Sequence, residues 1–186
     1  MIKKLSKNRQ KGFTLIEVII SATIIAVLTG ISLANYHSAG QRTELNIFMQ
    51  QMASDIRLMQ SYALSSYEYE DTISSGGWGF YVNNVNNNYV LFADNSNDEA
   101  YDGISEHFKT VNFPDGIEVE SIIGDLTGLE NSVNITFVPP KPTTNIGNNL
   151  PANDNNDVII ILKDNRNNIT RNIEINYFGL IDVQRN

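Results

Sequence analysis

From Phe13 to Tyr36 the sequence is dominated by apolar residues, and Glu17 is the only strongly ionisable side chain in this span. A run of about 20 to 24 apolar residues is long enough to cross the hydrocarbon core of a bilayer as a helix. A carboxylate inside such a segment costs about 2.5 to 3.5 kcal/mol on insertion scales, which makes it a candidate for function. The pattern predicts a single-pass membrane helix that carries a functional acid.

A basic leader precedes the apolar run. The first twelve residues contain five of the thirteen lysines and arginines and no acid, so residues 13–186 hold eight basic and 21 acidic side chains and a net charge of −13. Positive charge stays on the cytoplasmic side and directs the following segment outward. The acidic remainder disfavours nucleic-acid binding, because attraction to phosphate depends on lysine and arginine.

Three simpler interpretations of the apolar run compete: a cleaved secretory signal, an ordinary membrane anchor, and the buried helix of a soluble protein. The run is longer than the about 7–15 residues of a signal-peptide core, and its length also disfavours a buried helix. An ordinary anchor fits the hydropathy but gives no reason for Glu17.

The string Lys11-Gly12-Phe13-Thr14-Leu15-Ile16-Glu17 resembles the cleavage and methylation motif of type IV pilins and pseudopilins. In that family, prepilin peptidase cuts after the glycine and methylates the new N-terminal residue. The resemblance implies cleavage between Gly12 and Phe13 and methylation of the Phe13 amine. It also implies that Glu17 acts in assembly by pairing with a positively charged N-terminal amine of a neighbouring subunit. Opposite charges attract strongly in a low-dielectric layer, and each relieves the other's burial cost.

Helical periodicity continues beyond the apolar run. Apolar side chains share one predicted face, at Leu45, Phe48, Met49, Met52, Ile56, Met59, Ala63 and Leu64. This spacing predicts an amphipathic helix. A methionine-rich stripe can form a binding groove, but core packing is its commoner role. We predict one continuous helix from about Phe13 to Ser66.

From Gly77 onward, short apolar runs separated by turn residues predict antiparallel strands. Trp78–Val82 and Tyr89–Ala93 are predicted to form a hairpin. Further strands are predicted at 107–111, 117–123, 133–138, 158–163, 169–177 and 180–183. The continuous apolar run Val158–Leu162 predicts a strand buried on both faces. An Asn- and Pro-rich stretch from Pro140 to Asp157 is predicted to be an exposed loop.

The predicted fold class is α+β, with a long N-terminal helix packed against an antiparallel β-rich head of two small sheets, one of them on the amphipathic half of the helix. We divide the chain into a prepilin leader at 1–12, the transmembrane half of the helix at 13–36, its amphipathic half at 37–70 and the β head domain at 71–186.

Beyond the N-terminal motif, the head resembles the H-type pseudopilins of type II secretion and the related minor pilins. The matching features are Gly79–Val82 followed by a tyrosine-led strand, the segments Phe113–Val119 and Ile135–Pro139, and a terminal strand pair around Gly179. Many major pilins carry a helix-loosening proline in the apolar segment, whereas Ile31–Ala34 contains none. The resemblance therefore implies a minor rather than a major subunit.

Catalytic and metal-binding patterns are poorly represented. The chain has no cysteine, and its histidines, His37 and His107, fall in different predicted elements. No nucleophile-elbow or phosphate-loop pattern is present, so we expect neither enzymatic activity nor a bound cofactor. For calcium, the stretch Asp94–Glu99 offers oxygen ligands, with Asp94 and Asp98 as the candidates, but it lacks the glycine and distal glutamate of an EF-hand loop. A solvated acidic turn is the simpler interpretation.

The sequence thus predicts a minor pilin or pseudopilin subunit, processed by prepilin peptidase and assembled into a type IV pilus or a type II secretion pseudopilus. Its expected partners are other pilin or pseudopilin subunits, prepilin peptidase and the inner-membrane assembly platform, but not nucleic acid. The expected location is the cytoplasmic (inner) membrane, with the head outside the cytoplasm. Two alternatives stay open: a competence-pilus subunit for DNA uptake, and a single-pass anchored binding protein that never polymerises.

Overall fold

The structure is a computed structural model that describes residues 12–124, 128–139, 143–147 and 157–184. Within these ranges it gives the backbone alone for residues 34–42, 128–130 and 143. The chain divides into two compact units between Gly40 and Gln41. Helix α1, Leu15–Leu64, contributes residues to both units. The predicted leader lies outside the described residues except for Gly12.

Local hydrogen bonds fix both ends of helix α1. At the start, the Thr14 hydroxyl and carbonyl oxygens accept the Glu17 N–H, which makes Thr14 the N-cap. At the end, Ser66 adopts the left-handed conformation with φ 48°. The N–H groups of Ser66 and Tyr67 donate to the carbonyls of Ala63 and Tyr62, which is the Schellman pattern. The helix therefore ends before the predicted Ser66, since Ser66 belongs to the cap.

Short antiparallel strands follow the helix. They are β1 Glu68–Tyr69, β2 Thr72–Ile73, β3 Trp78–Asn83, β4 Asn88–Ala93, β5 His107–Asn112, β6 Ile117–Gly124, β7 Gly128–Glu130, β8 Ser132–Val138, β9 Thr143–Ile146, β10 Val158–Asp164, β11 Ile169–Ile175 and β12 Ile181–Gln184. Strands β1 and β2 form a two-stranded ribbon, in which β1 lies inside the range 37–70 assigned to the amphipathic half of the helix and β2 lies beyond it. Sheet 1 is five-stranded in the order β5-β4-β3-β8-β9, and sheet 2 is five-stranded in the order β12-β11-β10-β6-β7. The predicted α+β class is confirmed.

The predicted hairpin is also confirmed, since β3 and β4 pair from Trp78 opposite Ala93 to Val82 opposite Tyr89. Two predictions about the head were wrong. The run Val158–Leu162 is not buried on both faces: it alternates between buried and half-buried residues, because only one face of sheet 2 meets the core. The Asn- and Pro-rich stretch is not entirely an exposed loop. Its residues 143–146 form β9 against β8, and Thr144, Asn145 and Ile146 are buried.

One hydrophobic core joins the second half of helix α1 to both sheets, rather than to one sheet as predicted. The methionine stripe is core, because Met49, Met52 and Met59 are completely buried. Leu64, predicted to belong to this stripe, is 55% exposed because it lies in the last helical turn on the flank of the buried face. Burying a side chain of this size contributes about 1.5–3 kcal/mol, so the stripe accounts for much of the helix–head attachment.

Polar contacts reinforce this attachment on both flanks of the helix. On the sheet 1 side, the Tyr89 hydroxyl donates to the Asp55 carboxylate at 2.6 Å. On the sheet 2 side, the Arg57 guanidinium donates to the carbonyl of Ile181 at 2.8 Å, and the Gln60 amide donates to the carbonyl of Gly179 at 2.6 Å. These bonds fix the rotation of the helix about its axis relative to the two sheets.

Candidate functional site: the N-terminal segment

The predicted processing bond lies directly before the helix. Gly12 and Phe13 precede helix α1 in irregular, exposed backbone. The Phe13 side chain is 82% exposed, and open space surrounds Gly12. The Gly12–Phe13 peptide is therefore sterically free and outside regular structure, which are the conditions a peptidase needs. Whether it is cut, and whether Phe13 is methylated, stay predictions.

Glu17 occupies the third position of the helix after its N-cap, Thr14. Its side chain is exposed and its N–H is engaged by the cap. The Thr-x-x-Glu spacing is that of a capping box, and an acid in the first turn interacts favourably with the helix dipole. The helix start thus presents a carboxylate beside the backbone that would become the N-terminus if the Gly12–Phe13 bond were cut. Pairing of this carboxylate with the amine of a neighbouring subunit stays a prediction.

Three other polar side chains of the apolar segment form hydrogen bonds within the helix. The hydroxyls of Ser21, Thr23 and Thr29 donate to the carbonyls of Glu17, Ile19 and Ile25 at 2.7, 2.8 and 2.8 Å. Such bonds let hydroxyls sit in an apolar medium at little cost. The carboxylate of Glu17 is therefore the group in this segment that most needs a partner outside its own helix.

Residues Leu15–Leu33 form a 19-residue stretch that is long and apolar enough to span a bilayer, and none of it is buried against the rest of the protein. The stretch qualifies by its length and composition, and a signal sequence near the N-terminus can have the same two features. The segment is consistent with a single-pass anchor in the inner membrane.

Residues 7–33 match the family described as the prokaryotic N-terminal methylation motif. The match includes Gly12, Phe13 and Glu17. It supports a type IV pilin-like protein, and it implies processing by prepilin peptidase and assembly with other pilins. Comparisons with curated proteins and with solved structures give no significant match. The pilin-like assignment thus rests on the N-terminal segment.

The calcium candidates lie in an ordered acidic loop between β4 and β5. Asp94 is fully buried, and its two carboxylate oxygens accept the N–H groups of Asn97 at 2.6 Å and Glu99 at 2.9 Å. The Ser96 hydroxyl lies between Asp94 and Asp98, at 3.2 and 3.0 Å from their carboxylates. Asp94 therefore organises the loop by accepting backbone N–H donors, which occupy the oxygens a cation would need.

Burial of Asp94 raises the pKa of its carboxyl above the usual value. Hydrogen bonds from Glu99 and Asn97 offset part of this rise, and the charge of Glu106 adds to it. Glu106 is also buried and accepts the N–H groups of Asn95, Ser96 and Asp102. Among the described residues, no group of three or more His, Cys, Asp or Glu side chains could hold a metal ion.

Sequence reasoning missed one charge network built around a buried acid. The Arg166 guanidinium donates to the Asp164 carboxylate at 2.9 Å and to the Glu44 carboxylate of helix α1 at 2.8 Å. Burial of Asp164 opposes its ionisation, but the hydrogen bonds from Arg166 and Asn167 outweigh this effect and lower the pKa of Asp164 below its usual value. Arg166 follows Asp164 closely, yet 122 positions separate it from Glu44, so the sequence carries no local signal of this contact.

Proposed function

We propose that this chain is a minor pilin or pseudopilin subunit that prepilin peptidase cleaves between Gly12 and Phe13 and methylates at Phe13. The observation that carries the proposal is the methylation-motif match over residues 7–33, and the position of Glu17 in the first turn of an exposed apolar helix supports it. The mature subunit enters a type IV pilus or a type II secretion pseudopilus. Its action is associative rather than enzymatic.

The Glu17 carboxylate is the group that couples processing to assembly in this proposal. Placing this ionised group in lipid costs free energy unless it is neutralised or paired. Cleavage before Phe13 would create a cationic amine at the start of the same helix, and pairing with that amine on a neighbouring subunit would relieve the cost. Assembly is thereby coupled to processing, because the uncleaved chain lacks the amine.

Two features of the sequence favour a minor subunit. The apolar segment lacks the proline typical of many major pilins, and the head resembles the H-type pseudopilins in the segments around Phe80, Pro114 and Phe137. The membrane platform of a pilus or secretion system is the expected assembly partner. The basic leader favours an orientation with the head outside the cytoplasm.

Intact-mass measurement of the protein from its native envelope tests processing. We expect a chain that begins at Phe13 with one added methyl group on its amine. An N-terminus at Met1 or a cut near the end of the apolar run, around Ala34–Ala39, would contradict the proposal. A Gly12→Ala variant leaves the bond exposed but changes the residue before the cut, so we expect unprocessed chain to accumulate.

Assembly is tested with Glu17→Gln, which removes the charge while keeping the side-chain shape. We expect membrane levels within about twofold of wild type and at least about a tenfold loss of subunit in sheared filaments, because the neutral glutamine leaves the cationic amine of the neighbouring subunit without a partner charge in the apolar layer. Ser21→Ala, one turn further along, is the matched control and should assemble normally. Normal incorporation of Glu17→Gln would favour a non-polymerising anchored binding protein.

A further inference from the structure

Three large apolar side chains are exposed at one end of sheet 1, where β3 begins, β4 ends and β5 begins. They are Tyr67 directly before β1, Ile73 in β2 and Ile104 in the loop before β5, with exposed fractions of 49%, 58% and 94%. A single apolar residue on a surface needs no partner, but several at one end of a sheet indicate an interaction surface.

Hydrogen bonds hold the β1–β2 ribbon and the β4–β5 loop side by side at this end. The Tyr69 hydroxyl in the ribbon donates to the carbonyl of His107, where the loop enters β5, at 2.8 Å. The Gly76 N–H, just after the ribbon, donates to the carbonyl of Asp94, where the loop leaves β4, at 3.0 Å. The two segments that carry the exposed side chains therefore form one continuous surface support.

The exposed side chains themselves lie on well-ordered backbone. The Tyr67 ring stacks on that of Tyr62 in helix α1 with centroids 4.3 Å apart, and its carbonyl accepts the Nε1–H of Trp78 at 3.1 Å. Ile104 lies in the turn that the Glu106 N–H closes before β5. A partner would meet these side chains already in place, so binding would cost little ordering entropy.

The charge around these side chains is negative throughout. Residues 58–108 contain eight acidic residues and no lysine or arginine. The exposed acids lie in the ribbon and the loop: Glu68, Glu70, Asp71, Asp98 and Asp102. The charge of Asp98 raises the pKa of the Asp102 carboxyl, and burial and the charge of Glu106 add to the rise. We call residues 67–76 and 94–106 together the acidic end.

Charge and side-chain chemistry identify the class of partner. Residues 13–186 carry a net charge of −13, so a second copy of the mature chain would add like charge. Nucleic acids and anionic lipids are negative as well. A basic protein surface supplies the opposite charge. Its lysines and arginines also have apolar stems that can cover Ile73 and Ile104, and a guanidinium stacks favourably on an aromatic face such as that of Tyr67.

We propose that the acidic end is the docking site for a basic surface of a protein other than this chain. Ile73 and Ile104 supply the apolar contact, while Tyr67 and the exposed acids receive lysine and arginine side chains. This docking goes beyond the proposed function, because that function concerns processing and assembly through the N-terminal segment and the acidic end belongs to the head.

Photo-cross-linking of the full-length chain in its native envelope tests the docking. A benzophenone-bearing amino acid takes the place of Ile104, and mass spectrometry identifies the peptide that it captures. We expect one dominant product in which a different protein is linked through a peptide with more basic than acidic residues. The same probe in place of Val85 is the control, since Val85 is 82% exposed on the β3–β4 turn at the opposite end of these strands.

Charge reversal gives a second readout on the same product. Glu70→Lys combined with Asp71→Lys reverses the ribbon tip, so we expect at least about a tenfold loss of the product captured at position 104. Asp115→Lys combined with Glu118→Lys makes the same charge change at two exposed acids elsewhere and should leave the product unchanged. All four sites are exposed, so the melting temperature of the head should stay unchanged in both variants.

Each contrary outcome overturns the docking. A product no more abundant than with the probe at Val85, capture of a second copy of this chain, or capture of lipid alone would each do so. Capture through an acidic peptide, or a product that survives reversal of Glu70 and Asp71 undiminished, would contradict the charge argument and overturn it as well. All of these outcomes leave the proposed function standing, because cleavage before Phe13 and the effect of Glu17→Gln are measured separately.

Discussion

Asp164 combines complete burial with a full charge, and its partners make that combination stable. The carboxylate accepts hydrogen bonds from the guanidinium and N–H of Arg166 and from the amide of Asn167. Arg166 in turn reaches Glu44, so the turn between β10 and β11 is tied to helix α1. Gly116 makes room for this arginine, because a methyl group there would lie 2.9 Å from Arg166 Nε on backbone with φ 79°.

The lowered pKa of Asp164 predicts a loss of stability in acid. A carboxyl whose pKa is lower in the folded than in the unfolded state stabilises the fold above its ordinary pKa, and that contribution disappears as the pH falls through the folded value. We expect chemical unfolding of the detergent-solubilised protein to become easier below about pH 4. Asp164→Asn should lower stability at pH 7 by about 1–3 kcal/mol and weaken the acid-dependent loss.

Asp115→Asn is the matched control for this experiment, since Asp115 is an exposed acid on a neighbouring turn. Its unfolding curve should follow wild type at every pH. Asp94 acts with the opposite sign: because its pKa is raised, its contribution to stability falls as the pH rises through the folded value. An acid dependence that survives unchanged in Asp164→Asn would assign the effect to another carboxyl.

Gly79 in β3 leaves room for the ring of Phe92, its cross-strand neighbour in β4. A methyl group at Gly79 would lie 2.3 Å from Cζ of Phe92, a fully buried side chain that also contacts the Tyr101 ring. Gly79→Ala must displace this ring, so we expect a destabilisation of about 1–3 kcal/mol in denaturant unfolding. Gly30→Ala, which meets no atom within 4 Å, should leave head unfolding unchanged.

At the scale of elements, the helix attaches to the head mainly through apolar contact. Met52 is completely buried in the shared core, whereas the adjacent Gln51 is exposed. Met52→Ala should therefore lower the free energy of unfolding by about 2–5 kcal/mol, and Gln51→Ala by less than about 0.5 kcal/mol. Thermal melts followed by near-ultraviolet circular dichroism report this packing. Equal effects at both positions would mean that the helix is not held by its methionine face.

Local periodicity predicted most elements but not their partners. The helix and the strands around Trp78, Tyr89 and Val158 have clear spacing, and each forms close to its predicted position. Strand β9 has the sequence Thr-Thr-Asn-Ile, which has no apolar alternation, and it forms because its backbone pairs with β8 of sheet 1. Ser66 ends the helix through a left-handed conformation that its residue type does not signal.

For the candidate site too, residues in a contiguous motif were predicted and contacts between distant residues were not. Glu17, Gly12 and Phe13 were predicted because the motif is contiguous in sequence, and the match over residues 7–33 falls on them. The partners of Glu44 and Arg57 could not be predicted, because no local pattern signals a contact between distant parts of the chain. Both partners lie more than a hundred positions away, in the turn after β10 and at the start of β12.

At the scale of the whole molecule, basic residues are concentrated in the leader and acidic residues in the rest of the chain. This distribution favours a subunit that assembles with other pilins over a subunit that binds DNA for uptake. The leader holds five basic residues and no acid, while residues 13–186 carry a net charge of −13. Nonspecific DNA binding releases counterions through lysine and arginine, so an acidic mature chain lacks its driving force. We expect no DNA binding by the processed protein below about 100 μM, even at low salt.

The unprocessed precursor is the natural control, because it differs from the mature chain by the basic leader. Electrophoretic mobility shifts in detergent should show weak binding by the precursor that weakens steeply with added salt, because dissolved cations compete with the leader's lysines and arginine for the phosphates. The mature chain should show none. Salt-sensitive binding that persists after cleavage would instead place the DNA-binding residues in the head and support a competence pilus. The same measurement with Arg166→Gln would then show whether that binding uses the arginine that ties the β10–β11 turn to the helix.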